Sequence, residues 1–161
     1  MNEPMKSPRL YPTIIDRQLD QAWLGWLADK QQALRVFFDS DVPQMPADRY
    51  STAGLDIAES ALLERCTGPD TRVDGAMLDR FGCFVGEVFV QSLAGFWINS
   101  PLGPPQIRPT VRFLYADITI SLEAQIYFAV RRRTGHQWAD LHAIVSEYCA
   151  EWWQSGHGLL G

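Results

Sequence analysis

Four polar residues stand at helical spacing inside an otherwise apolar segment of the chain. Arg80, Cys83, Glu87 and Gln91 are separated by three or four residues, so they lie in one narrow stripe of a predicted helix. A carboxylate among apolar neighbours is costly unless it is paired or hydrogen-bonded. We therefore expect Glu87 to meet an arginine, backbone donors or a cleft with water. Glu87, Arg80 and Gln91 are candidates for a structural pair or for a ligand site.

The run Arg131-Arg132-Arg133 is the second candidate. Guanidinium groups match the oxygens of phosphates and carboxylates, so the run is a candidate patch for an anion or a partner. The alternative is structural, because cations in the last turn of a helix, just before Gly135, complement the helix dipole and its last carbonyls. We expect the structural role, since the surrounding chain is acidic.

The sequence contains no pattern typical of a metal centre, a cofactor site or a known catalytic group. Its histidines, His136, His142 and His157, form neither an H-x-x-x-H pair nor a Cys-His arrangement with zinc-ligand spacing. Glycine-rich phosphate loops and the G-x-S-x-G elbow are missing too. Cys149 and His142 stand about two helical turns apart, too far for a direct hydrogen bond. We expect no catalytic residue, no metal and no cofactor.

The composition of the chain indicates which binding partners and which cellular compartment to expect. The 161 residues carry a net charge of -5 and are 47% hydrophobic, as in one soluble globular domain. The acidity disfavours binding to nucleic acid. Three well-separated cysteines favour a reducing compartment, and the chain shows neither a secretory signal nor a clear membrane span. We expect a cytoplasmic protein that interacts with no membrane.

The hydrophobic pattern predicts a helix-rich α+β fold for one domain over 1–161, with flexible ends at 1–12 and 156–161. We expect about five helices, near 13–39, 52–66, 71–95, 121–133 and 138–152. The apolar stripe of the last helix includes Val145, Tyr148 and Cys149. Segments rich in β-branched and aromatic residues predict a small antiparallel sheet near 96–120.

The third predicted helix is the expected centre of the core. Apolar residues cover nearly its whole circumference over Met77–Leu93, as in a buried helix. Thr71 and Asp74 have the spacing of a capping box at its start. Gly82 and Gly86, four residues apart, can let another backbone approach this helix closely, which is most simply a packing device.

The segment FGCFVGEV at 81–88, followed by Gly95-Phe96-Trp97, resembles a helix-to-strand signature, FGxYxGE with a later GxW. The signature belongs to small uncharacterised bacterial proteins. Some of these look like immunity proteins of polymorphic toxin systems, which bind and block a cognate toxin. The resemblance implies a related fold and a non-enzymatic role, and it identifies no catalytic residues.

Two functions stay open. The first is a non-catalytic bacterial protein that binds another protein, such as a cognate toxin, as immunity and chaperone-like proteins do. An acidic chain would meet a basic partner quickly, and tryptophans would anchor the contact. The second is a small enzyme or ligand-binding protein with a pocket around Glu87, which a solvent-open cavity at that residue would favour. Self-association into a homo-oligomer through the first or last helix also stays open.

Overall fold

The computed structural model describes residues 14–100, 107–114 and 117–156. These residues confirm the predicted α+β fold, in which helices dominate and a small antiparallel sheet lies in the second half of the chain. Of the two predicted flexible ends, 1–12 and 156–161, only Gly156 lies within the described residues. The elements are, in chain order, α1 (Ile14–Gln18), α2 (Gln21–Val36), a π-helical turn (Phe37–Asp41), α3 (Thr52–Glu64), α4 (Gly75–Leu93), β1 (Gly95–Asn99), β2 (Pro109–Phe113), β3 (Thr119–Ser121), α5 (Leu122–Arg132) and α6 (Gln137–Gln154).

The first predicted helix is divided into three pieces, so the continuous helix over 13–39 is wrong. Asp20 caps α2, because its side chain accepts a hydrogen bond from Ala22 N at 2.8 Å and so competes with a continuous helix. At the other end, the chain changes from α-helical to π-helical hydrogen bonding before the helix ends. Val42 N donates to Phe37 O, five residues earlier, at 2.9 Å. Apolar periodicity alone does not reveal either change.

Helix α4 is the centre of the core, as predicted. All nine residues from Phe81 to Phe89 are buried. The ring of Phe37, from the π-helical turn, stacks on Phe84 with centroids 4.7 Å apart and meets Phe81 edge-on at 5.0 Å. The π-helical turn after α2 therefore packs the Phe37 ring directly against α4.

Two predictions about α4 are wrong in detail. The Asp74 side chain makes no capping hydrogen bond within the described residues, and Thr71 instead bonds Gly68 O at 2.8 Å in the preceding turn. The helix glycines face side chains rather than another backbone. An added Cβ at Gly86 would lie 2.1 Å from the Trp97 ring, whereas one at Gly82 would lie 3.4 Å from the Leu122 side chain, an ordinary contact.

The sheet has the order β1-β2-β3 with antiparallel pairing throughout. Gly95 pairs with Phe113, and Val111 pairs with Ile120. The buried side chains of Val111, Phe113 and Ile120 join the core, and Phe89 of α4 meets Phe113 at 6.3 Å. Ala94, in the left-handed conformation at φ 53°, turns the chain from α4 directly into β1. This turn places the strand against its own preceding helix.

Helix α6 is fixed at its start by a carboxylate from another helix. Glu59 of α3 is fully buried, and it accepts hydrogen bonds from Gln137 N at 3.1 Å and Trp138 N at 3.0 Å. Burial raises the pKa of Glu59, although both backbone donors oppose the rise. The free N–H groups at the start of α6 are thus satisfied from a distance of nearly eighty residues in sequence.

Candidate functional site

Glu87 is 5% exposed, and its carboxylate accepts hydrogen bonds from three side chains. Oε1 accepts from Lys30 Nζ, in an ion pair, and from Trp97 Nε1 at 2.8 Å; Oε2 accepts from Gln91 Nε2 at 3.4 Å. Burial works to raise the pKa of Glu87, but the bonds from Lys30 and Trp97 and the Lys30 charge lower it below its usual value. The carboxylate is therefore ionised at neutral pH and held by its neighbours.

The Glu87 cluster, consisting of Lys30, Glu87, Gln91 and Trp97, ties three elements together. Lys30 comes from α2, Trp97 from β1, and the other two from α4. Lys30 Nζ also lies 5.6 Å from the centre of the Trp97 ring, and Trp26 of α2 meets that ring at 5.0 Å. Of these partners only Gln91 is visible from helical spacing, because the other two are brought in by the tertiary fold.

Arg80 turns away from Glu87 to a different carboxylate. Its Nε donates to Asp41 Oδ2 at 2.5 Å and its Nη2 to Oδ1 at 3.1 Å, while Arg65 Nη1 donates to Oδ1 at 3.0 Å. Burial works to raise the pKa of Asp41, and the two arginines more than offset it, so the pKa is lowered. The predicted stripe on α4 therefore splits into two ion-pair sites, neither of which is a pairing of Arg80 with Glu87.

The Asp41 site should make stability depend on pH in acid. Because the folded pKa lies below the ordinary value of 3.8, this stabilisation is complete above about pH 4 and is lost as the pH falls through the folded value. We expect Asp41→Asn to lower the free energy of unfolding by about 1–3 kcal/mol at neutral pH. The difference in free energy of unfolding between the parent and Asp41→Asn, measured by urea unfolding, should become smaller as the pH falls to about 2. A gap that stays constant with pH would contradict the assignment.

The arginine run divides between two roles, and all three side chains are exposed. Arg132 Nη1 donates to Gln137 Oε1 at 2.9 Å and its guanidinium lies 5.1 Å from the Phe128 ring centre. Arg133 donates to the carbonyls of Cys66 at 3.2 Å and Leu63 at 3.3 Å, at the end of α3. Arg133, in the left-handed conformation at φ 53°, also ends α5. The expected bonds to the last carbonyls of the run's own helix are therefore not what these contacts show: Arg133 bonds carbonyls at the end of α3, and Arg132 bonds a side chain of α6.

Replacing the two arginines separately should distinguish these roles. We expect Arg132→Gln to change the free energy of unfolding by less than about 0.5 kcal/mol, as surface substitutions usually do. Arg133→Gln should cost about 1 kcal/mol, because two carbonyls lose a charged donor. Thermal unfolding of both variants measures the difference. Equal stabilities of the two variants would contradict the contacts assigned to Arg132 and Arg133, and so would the loss of soluble protein when both substitutions are combined.

Ser92 and His142 form a contact between two helices that their spacing in the sequence does not indicate. Ser92 Oγ lies 2.7 Å from His142 Nε2 and 2.5 Å from Val88 O, one turn back in α4. The hydroxyl has one proton, and the short contact assigns it to the carbonyl, so the imidazole is the donor to Ser92. A nucleophilic serine would need the opposite arrangement, and the negative end of a helix disfavours an oxyanion there. The pair therefore joins α6 to α4.

A small cavity of about 130 Å³ adjoins the Glu87 cluster on its Lys30 side, and Glu87 is not among its lining residues. Its walls are formed by Trp26, Asp29, Lys30, Ala33, Asp79 and Cys83. Burial raises the pKa of the Cys83 thiol to about 12, so the thiol stays protonated at neutral pH. The Glu87 carboxylate thus faces its protein partners rather than this cavity.

Helix α6 presents large apolar side chains to solvent. Ile144 is 52% exposed and Tyr148 is 55% exposed, although the apolar stripe places Tyr148 on the buried face. Beside them runs a groove of about 430 Å³, here called the α6 groove, which is lined by Asp117, Ile118, Tyr148, Glu151, Trp152 and Ser155. Along its length α6 carries three carboxylates and neither lysine nor arginine. This surface combines aromatic rings with negative charge.

Within residues 14–100, 107–114 and 117–156, no three His, Cys, Asp or Glu side chains come together as a metal site. In the same ranges, no helix has both the length and the apolar character needed to cross a membrane. Comparisons of the chain with protein-family models, curated proteins and solved structures find no match. The described residues thus form an α+β fold in which the buried carboxylates of Glu87 and Asp41 are paired with basic side chains and α6 borders an acidic, aromatic groove.

Proposed function

We propose that the chain is a non-catalytic bacterial protein that acts in the cytoplasm by binding another protein, as an immunity or chaperone-like protein does. The α6 groove and the exposed side chains of Ile144 and Tyr148 beside it carry this proposal. Apolar surface rimmed by charge is typical of interaction sites, and aromatic side chains are enriched among the residues that dominate binding energy.

The contacts of the candidate chemical groups support a binding role over the alternative, a small enzyme or ligand-binding protein with a pocket around Glu87. The Glu87 oxygens are occupied by Lys30, Trp97 and Gln91, which leaves the carboxylate no role as a base. Ser92 directs its proton to a backbone carbonyl. Both groups hold helices in place, and a well-fixed α6 is what a binding surface on that helix requires.

Affinity capture with matched variants tests the proposal. The parent protein, the double variant Ile144→Asp with Tyr148→Asp, and the control Leu24→Asp are each used to capture partners from the source cells. Leu24 is an exposed apolar residue on α2, so the control introduces a similar charge elsewhere. We expect one protein to be retained by the parent and the control and lost by the double variant, while circular dichroism shows all three folded. Equal capture by all three would contradict the proposal.

Growth assays test the immunity-like form of the proposal. If the captured protein arrests growth when it is expressed alone, co-expression of the parent should restore growth. Co-expression of the double variant should not. Rescue by both would show that protection does not use the α6 groove.

A further inference from the structure

We infer that the α6 groove receives a segment of the partner protein that combines arginine or lysine with apolar residues. This inference rests on the proposed function and names the chemistry of the partner. Two carboxylates line the groove, Glu151 on α6 and Asp117, which precedes β3, and Glu147 lies one turn from Glu151. No lysine or arginine of α6 neutralises them.

The chemistry of the groove suits an arginine side chain in particular. A guanidinium group stacks on aromatic rings and binds carboxylates through two parallel hydrogen bonds. The exposed ring of Tyr148 and the carboxylates of Glu151 and Asp117 line the same groove, so an arginine of the segment can find both kinds of contact there. Ile118 and Ile144 supply apolar surface for the neighbouring residues of the segment.

Charge argues against the other occupants of such a groove. A second copy of this chain carries a net charge of -5, so its approach to an acidic surface is unfavourable. Nucleic acid and anionic lipid are negative as well, and they would be repelled in the same way. A basic, partly apolar protein segment is the occupant that gains from both the charge and the rings.

A synthetic peptide of alternating arginine and leucine, about fifteen residues long, is the probe, with a control peptide in which glutamine replaces arginine. We expect the basic peptide to bind and the control not to bind in isothermal titration calorimetry. The double variant Asp117→Asn with Glu151→Gln should weaken binding about tenfold and reduce its salt dependence. The matched control, Asp29→Asn with Glu123→Gln, removes two exposed carboxylates outside the α6 groove and should leave binding within about twofold.

Three results would overturn the inference. They are equal binding of the two peptides, equal loss in groove and control variants, and a dimer of the parent that Tyr148→Asp converts to a monomer. The proposed function is tested separately from this inference. If Ile144→Asp with Tyr148→Asp abolishes capture of the native partner while Asp117→Asn with Glu151→Gln leaves it unchanged, the protein-binding role stands and the basic segment is excluded.

Discussion

Glu87→Ala should lower the free energy of unfolding by about 3 kcal/mol, because it leaves a buried lysine without its counter-charge and an indole without its acceptor. The Lys30 side chain is 15% exposed, so its ammonium group keeps some contact with water when the carboxylate is removed. The expected loss of stability is therefore at the lower end of the range for breaking a buried ion pair. Glu87→Gln should cost less, about 1–2 kcal/mol, since its carbonyl still accepts from Lys30 and Trp97 at the same position.

Urea unfolding of the two variants beside the parent measures this order. Gln91→Ala is the matched control, because its exposed side chain reaches Glu87 only at 3.4 Å and also bonds Tyr50, and we expect it to cost less than about 1 kcal/mol. If Glu87→Ala, Glu87→Gln and the parent unfold alike, the carboxylate is solvated and the cluster does not hold α2, α4 and β1 together.

Gly86→Ala should lower the free energy of unfolding by about 1–3 kcal/mol or more through overpacking. The new Cβ would lie 2.1 Å from the Trp97 ring, and the ring also packs against Trp26 and donates to Glu87. Moving the indole therefore breaks the hydrogen bond as well as the packing. The helix propensity gained by alanine, about 1 kcal/mol, does not offset both losses.

Gly82→Ala is the control for this effect, since it lies one turn earlier on the same helix. Its Cβ would meet Leu122 at 3.4 Å, which is an ordinary contact, so the variant should be as stable as the parent or more stable by up to about 1 kcal/mol. Thermal unfolding and Trp fluorescence measure both variants. A stabilised Gly86→Ala with unchanged emission would contradict the placement of Trp97 against this glycine.

Local sequence signals account for much of the fold. The apolar circumference of α4 predicted its burial, and β-branched segments predicted the sheet. The start of α5 at Ser121, whose side chain accepts from Ala124 N at 3.4 Å, followed from its position before an apolar-periodic segment. These features depend on neighbours within a few residues, so a single sequence contains them.

The side-chain partners of the candidate site depend on the tertiary fold. Helical spacing places Glu87 in an apolar helix and so indicates that it must be paired. Helical spacing does not identify Lys30, 57 residues away, as the partner of Glu87, and it does not show that Arg80 pairs with Asp41. The exposure of Tyr148 was missed for the same reason, because the width of the buried face of α6 is set by α3, α4 and α5 rather than by its own periodicity.

Photo-crosslinking in living cells tests the proposed protein-binding role most directly. Tyr148 is replaced with a photo-crosslinking phenylalanine analogue in one strain and Leu24 in another, and the adducts formed under light are identified by mass spectrometry. We expect a covalent adduct with one other protein from position 148 and no adduct with that protein from position 24. Adducts with the same protein from both positions, or from position 148 only with a second copy of this chain, would contradict it.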